Sequence, residues 1–383
     1  MNKIFLFFLF FTSSFYFKSQ DTVYARSIIS KLSSKEFLGR GYVNDGVNKS
    51  ANFLAKEFKA IGLLAFGENY FQTYRFNVNT FPNKISVSID QKKLVSGKHF
   101  LITPSSKTIK ASCQLHQIDS VSYKAVSATK EVSLKIKLRK KLTYTVATDT
   151  ENIAILELLK DSFPNDLKSL DIFYENKFIT NYKCKNICGY IKGTQQPDTF
   201  IVFSAHYDHL GAMGPTTYFP GANDNASGVS VLLNLAKYYK KNPIKYSVAF
   251  MMFSGEEAGL LGSKHYIENP LFPLSQIKFL TNLDLLGTGN DGIMVVNATV
   301  FKSQFLKLNS INEKNKYLSQ IKQRGKAANS DHYWFSEKNI PCFFIYTLGG
   351  ISAYHDVYDI EKTLPLTDYI DVCKLLIEFS NSL

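Results

Sequence analysis

The hydrophobic rhythm of the chain changes twice. From Asn48 to Ile61, the residues Ala51, Leu54, Phe58 and Ile61 recur at helical spacing, and Gly62 follows as a stop signal. The pattern predicts a helical segment over residues 22 to 80. Between 81 and about 180 the apolar positions alternate instead. Ile85-Ser86-Val87-Ser88-Ile89 and Leu134-Lys135-Ile136-Lys137-Leu138-Arg139 are two such runs, set among Lys, Ser and Thr. They predict a small β-rich insert with a half-exposed sheet. From Asn181 onward, apolar runs of strand length alternate with helical stretches. Phe200 to Phe203, Ser247 to Phe253, Phe279 to Leu283 and Cys342 to Tyr346 read as buried strands. Helices are expected around Ser227 to Lys241 and over Leu366 to Phe379, where Tyr369, Val372, Leu376 and Phe379 share a face. This alternation predicts an α/β fold: three layers, helix/sheet/helix, around a mixed, mostly parallel central sheet. The expected organisation is one α/β domain from residues 21–80 and 181–383, interrupted by the β-rich insert at 81–180.

Composition adds a compartment and removes some function classes. The chain has 383 residues, 45% apolar and 20% charged, which supports a real core rather than disorder. Lys3, the apolar run Ile4 to Phe11 and the polar Thr12-Ser13-Ser14 read as a signal peptide over residues 1–20. The run is short for a bilayer span, and no later stretch is long and apolar enough to be one. A secreted or periplasmic protein is expected, with no membrane span once the signal is removed. Cys184 and Cys188 fall in one predicted strand, about 13 Å apart and too far to bridge. Cys342 and Cys373 sit in apolar runs as core thiols, and no CxxC pattern occurs. A disulfide framework is therefore not expected. The net charge of +13 resides largely in Lys on alternating strands, and no nucleic-acid motif is present.

The chemistry lies after the apolar runs. In a parallel sheet, ligands bind beyond the carboxyl ends of the strands. Phe203 is followed by Ser204-Ala205-His206-Tyr207-Asp208-His209, Phe253 by Ser254-Gly255-Glu256-Glu257, Leu283 by Asp284, and Tyr346 by a loop ending in Tyr354-His355. Gly221-Ala222-Asn223-Asp224-Asn225-Ala226-Ser227-Gly228 precedes a helix between the first two strands. Imidazoles with carboxylates form a ligand set that suits zinc. Three carboxylates, Asp224, Glu257 and Asp284, would leave one zinc site net negative. Two Zn²⁺ leave one positive charge, which suits a hydroxide. Two metals about 3.5–4 Å apart could share a carboxylate and clamp both water and substrate. Adjacent side chains such as Glu256 and Glu257 point apart at a strand end, so one can bind metal while the other accepts a proton. Asp208 is expected to hold the far nitrogen of His206. His209, His265, Asp356 and Asp359 read as bystanders.

His206-Tyr207-Asp208, Asp224-Asn225-Ala226-Ser227-Gly228, Glu256-Glu257, Asn282-Leu283-Asp284 and Tyr354-His355 resemble, in order and rough spacing, the motif series of the zinc aminopeptidase and glutamate carboxypeptidase family. The resemblance covers residues 181 to 380, and Phe37-Leu38-Gly39-Arg40-Gly41 resembles that family's N-terminal segment. The insert is only loosely similar to protease-associated domains. The resemblance implies a dizinc exopeptidase acting on a peptide substrate. Asp224 would bridge the zincs, His206 and Asp284 would complete one, and Glu257 and His355 the other. It further implies Glu256 as general base, Asp208 as the group orienting His206, and a cis Asp224–Asn225 peptide. Asp331-His332 looks like a loop that the family keeps near its site. Aminopeptidase action is the expected activity. A carboxypeptidase on the same fold would need cations for the substrate carboxylate, and after Arg139 the only Arg is Arg324. A glutaminyl cyclase-type acyltransferase would hold one zinc and usually shows Asp-Ser-Ala at the bridging position. A binding module without activity would have lost ligands, and none is missing here.

Overall fold

The computed structural model describes residues 21–127, 130–163 and 166–383. The signal peptide assigned to residues 1–20 lies outside them. The apolar runs become the centre of a nine-stranded sheet. Four strands there are mutually parallel, in the order Tyr246–Phe253, Gln196–His206, Ile277–Leu283 and Cys342–Thr347. Antiparallel neighbours extend it: Lys177–Ile191 pairs with Tyr246–Phe253, and Ile293–Val296 with Cys342–Thr347.

Both faces of this sheet are covered, which is why its strands read as continuous apolar runs. Ile201, Phe203, Val248, Phe250 and Met252 pack on one face with the helices Thr22–Leu32, Gly46–Ile61, Gly228–Lys241 and Tyr369–Asn381. Phe200, Val202, Ala249, Met251 and Phe253 face the other way, against Tyr266 of helix Leu261–Glu268 and Phe335 of helix His332–Glu337. The result is a three-layer α/β fold. All five cysteines are free and buried. Among the described residues, no helix is long and apolar enough to cross a membrane.

Residues 64 to 80 depart from the helical expectation. Leu64–Ala65 and Phe71–Thr80 are strands. Phe71–Thr80 pairs antiparallel with Lys177–Ile191, from Phe71 opposite Ile187 to Thr80 opposite Lys177. The helical period ends at Gly62, and beyond it aromatic and β-branched residues alternate with polar ones, a strand pattern. This pair forms a two-stranded stem through which the chain leaves the large sheet and returns to it.

Beyond the stem lies a second sheet of eight strands between residues 86 and 174. Its pairings are antiparallel except that Lys130–Arg139 runs parallel to Ala154–Leu159. Leu134 and Ile136 are buried while Lys135 between them is exposed, as strict alternation requires. The core of this sheet includes Leu210, Met213 and Phe219 from the segment after His206, so the two sheets share packing.

The segment Phe37 to Gly41 lies backbone to backbone on the loop that follows strand Gln196–His206. Gly211 donates its N–H to Gly39 O at 3.0 Å. A Cβ on Gly41 would stand 2.3 Å from the Gly211 Cα, a distance no packed carbon tolerates. Gly41→Ala is therefore expected to lower stability by about 3 kcal/mol, the upper end for overpacking, because the obstacle is main chain and cannot rotate away. Urea denaturation at an unchanged slope would measure it.

Candidate metal centre

Each parallel strand of the sheet delivers a polar residue to the same edge. His206 ends its strand, Asp284 follows Leu283, and Glu256-Glu257 follow Phe253 across a short turn. His355 sits in the loop after Thr347, with φ of 53°. Asp224 lies in the turn ahead of helix Gly228–Lys241, and the Asp224–Asn225 peptide is cis.

These side chains converge. His206 Nε2 is 3.3 Å from Asp224 Oδ1 and 3.3 Å from Asp284 Oδ1. His355 Nε2 is 3.2 Å from Asp224 Oδ2 and 3.2 Å from Glu257 Oε2. The Asp224 carboxylate thus offers one oxygen toward each imidazole. Tetrahedral zinc with bonds of about 2.0–2.1 Å spaces its ligands about 3.3 Å apart. All four separations fit that spacing. Together with Glu256, the five residues line a cavity of ≈ 220 Å³, joined by Leu285, Asn329, Phe344, Tyr346 and Tyr354. Phe219, just ahead of the Gly221 turn, is fully buried and stacked on Tyr144 at 4.6 Å. Tyr218 lies outside the lining.

The electrostatics are those of crowded acids. Burial raises Glu256 well above the usual carboxylate range, and Glu257, Asp331 and Asp284 add to it against the pull of His206. Burial pushes Asp331 up to about 7. It would also raise Asp224, but the imidazoles of His206 and His355 hold that group well below its ordinary value. Burial opposes charge on His355, yet Glu257 and Asp224 push it up to about 9. A cluster of this kind is short of positive charge.

Around it runs a layer of fixed hydrogen bonds. Ser204 Oγ donates to Asn282 Oδ1, Asn282 Nδ2 to Ser330 Oγ, and Ser330 Oγ to Asp284 Oδ2 at 3.0 Å. Asp208 behaves differently from expectation. Its carboxylate stands 3.8 Å from His206 Nδ1, whereas its main-chain carbonyl lies at 3.2 Å. The carboxylate instead accepts the N–H groups of Glu256 and Glu257 and the hydroxyl of Tyr42. It thereby fixes the main chain of the Glu256-Glu257 turn.

Three residues have roles that the sequence did not reveal, although Arg40 lies in the Phe37–Gly41 segment singled out above. Asp359, read as a loop bystander, accepts Asn223 N–H at 2.8 Å and Asp224 N–H at 2.9 Å. Arg40 is fully buried and donates to the carbonyls of Tyr207, Leu32, Pro220, Gly221 and Asp224. His209, also read as a bystander, has its Nδ1 2.7 Å from Glu257 Oε1. His265 does stand apart, stacked on Tyr74. Asp356 accepts Tyr358 N–H within its own loop.

Fold and site together define an α/β protein with a His/carboxylate constellation at the carboxyl edge of its sheet. The model of peptidase family M28 matches residues 186–380, and the chain belongs to that family. Aminopeptidase YwaD of Bacillus subtilis (strain 168) is 33% identical over 171 residues, covering 43% of this chain and 36% of that one. The chain thus matches about a third of that relative's length. Among solved structures, the zinc aminopeptidase BSAP from Bacillus subtilis superposes with a TM-score of 0.66 at 20% identity, over 94% of this chain and 95% of that one. An M28 peptidase precursor from Shewanella amazonensis gives 0.69 at 12% identity, over 94% and 93%. These likenesses establish the fold.

Asp359→Ala leaves two buried N–H groups of the Asp224 turn without acceptors. A loss of about 2–4 kcal/mol is expected, from 1–3 kcal/mol per orphaned donor with partial relaxation. Thermal unfolding of the metal-free protein checks it.

Proposed function

We propose that the chain is a zinc-dependent aminopeptidase whose centre holds two Zn²⁺. The observation that carries this reading is the shared Asp224 carboxylate, flanked at zinc ligand spacing by His206 with Asp284 and by His355 with Glu257. Bound zinc would supply Lewis acidity and bring the pKa of a water to about 7.

The residues of the chain then divide the work. Asp224 would serve both ions. His206 and Asp284 would hold one ion, and Glu257 and His355 the other. Glu256 lines the same cavity without being needed as a ligand, which leaves its carboxylate free to act as a base. It would accept a proton from the attacking water and return it to the amine of the departing peptide. Asp208 sets the main chain of both glutamates.

Cleavage at the substrate N-terminus is the reading that the cavity lining favours. Its lining contains no Lys or Arg, so it offers a terminal carboxylate no cationic side chain. Arg324 is exposed, beyond the strand Ile321–Gln323. This disfavours the carboxypeptidase reading, and the paired ligand sets disfavour a one-zinc cyclase. BSAP and YwaD are both named aminopeptidases. We read residues 81–180 as an insert in an α/β domain formed by 21–80 and 181–383. The N-terminal Lys3 and the apolar run after it support export.

Aminoacyl p-nitroanilides are expected to be hydrolysed, with activity lost to chelator and restored by zinc. Glu256→Gln is expected to keep two zinc ions per chain and to lose 10²–10⁴-fold in kcat, about the worth of a positioned proton acceptor. Metal analysis and steady-state kinetics on the same preparation test both statements. A Glu256→Gln protein of undiminished kcat would refute the base assignment.

A further inference from the structure

His209 is fully buried, yet it has no place in the ligand sets above. Its Nδ1 stands 2.7 Å from Glu257 Oε1. That is a hydrogen-bond distance, shorter than the 3.2–3.3 Å that separates facing ligand atoms elsewhere in the centre. The other Glu257 oxygen, Oε2, is the one that faces His355. We propose that His209 is a positioning residue: its Nδ1–H occupies Glu257 Oε1 and leaves Glu257 a single oxygen for the ion on the His355 side. This inference rests on the two-zinc reading.

The ring is held in place for that role. The His209 main-chain N–H donates to Arg40 O at 3.2 Å. A Cβ on Gly221 would lie 2.4 Å from His209 Cδ2, so the absence of a side chain there leaves room for the ring. Nε2 is buried and has no hydrogen-bond partner. Glu257 is therefore the ring's one hydrogen-bond partner among the described residues. A buried imidazole with an unsatisfied nitrogen is a poor device for stability, since an apolar side chain of similar size would avoid that penalty. Its use is orientation. A carboxylate free to rotate would alternate between one-oxygen and two-oxygen contact, and a fixed donor on Oε1 removes the second option.

His209 could instead be a ligand, because its Nδ1, Asp224 and Glu257 oxygens lie within 4.8 Å of one another. The 2.7 Å separation from Glu257 Oε1 argues against this. The test uses the full chain and measures the two zinc dissociation constants by titration against a competing chelator. His209→Leu removes the donor, and His209→Asn retains an N–H near the position of Nδ1. His209→Leu is expected to weaken one of the two zinc ions by about 10–100-fold, to leave the other unchanged, and to melt no lower than wild type when metal-free. His209→Asn is expected to restore at least half of the lost affinity on a logarithmic scale.

Several outcomes overturn the proposal. They are wild-type affinity in His209→Leu, equal weakening of both ions, equal weakness of the two variants, or complete loss of one ion as for a lost ligand. Collapse of metal-free His209→Leu would make the role structural and also overturn it. A wild-type chain that binds fewer than two zinc ions would bring down the two-zinc reading itself, which separates the two failures.

Discussion

Repulsion among buried carboxylates is the constraint on which this structure turns. Asp208, Asp224, Asp284, Asp331 and Asp359 are buried, and Glu256 and Glu257 are half-buried beside them. Arg40 is the one fully buried guanidinium in their neighbourhood, and burial lowers its pKa only to about 10, so it stays charged at neutral pH. Moving a carboxylate out of water without compensation costs several kcal/mol. The fold meets this in two ways. Asp208 and Asp359 are satisfied by backbone N–H groups. Asp224, Glu257 and Asp284 instead face imidazoles, with acceptor capacity left over. A site with that residue of negative charge is completed by cations.

The same division explains the architecture around it. A parallel sheet brings strand ends to one edge but leaves the loops there to find their own supports. Arg40 supplies one such support by tying together the carbonyls of Pro220, Gly221 and Asp224 from one side. Asp359 holds the N–H groups of the same turn from the other. The Asp224 turn is therefore clamped through its main chain by a cation on its carbonyls and an anion on its amides. Its side chain is left free to face both imidazoles. This division also accounts for the glycines at 39, 41 and 211: Arg40 can reach the turn only if the N-terminal segment lies directly on Leu210-Gly211.

The sequence carried much of this and failed in a consistent way. Apolar runs marked the four central strands, because strands buried on both faces cannot alternate. The residues after them were then candidates by position alone, and His206, Asp224, Glu256, Glu257, Asp284 and His355 do share one cavity. Illegible were groups whose role depends on a partner far along the chain. Asp359 acts on residues 223 and 224, and Arg40 on residues from 32 to 224; no local pattern encodes such contacts. His209 belongs with them, since its partner Glu257 lies 48 residues further along the chain. Phe71–Thr80 was missed for a different reason. A strong helix ending at Gly62 was extended past its stop signal, although the alternation from Tyr74 to Val78 is plain once it is read as a strand.

The second sheet is not mechanically separate from the centre. Tyr144 donates its main-chain N–H to the carbonyl of His355 at 2.8 Å. Lys141 reaches Ser352 O at 2.9 Å and Asp356 at 3.2 Å, on either side of that histidine. Tyr144 also stacks on Phe219, two residues before the Gly221 turn. His355 has a left-handed backbone, which a residue with a Cβ adopts at a cost of about 1–2 kcal/mol unless its surroundings hold it there. The bond from Tyr144 is such a hold. The stem Phe71–Thr80 and Lys177–Ile191 fixes the second sheet to the first at one end, and segment 141–144 fixes it to the His355 loop at the other. A histidine that must keep its ring at a set distance from Asp224 and Glu257 gains more from a rigid neighbouring sheet than from a longer loop. This gives the second sheet a physical reason to hold the His355 loop as well as the stem.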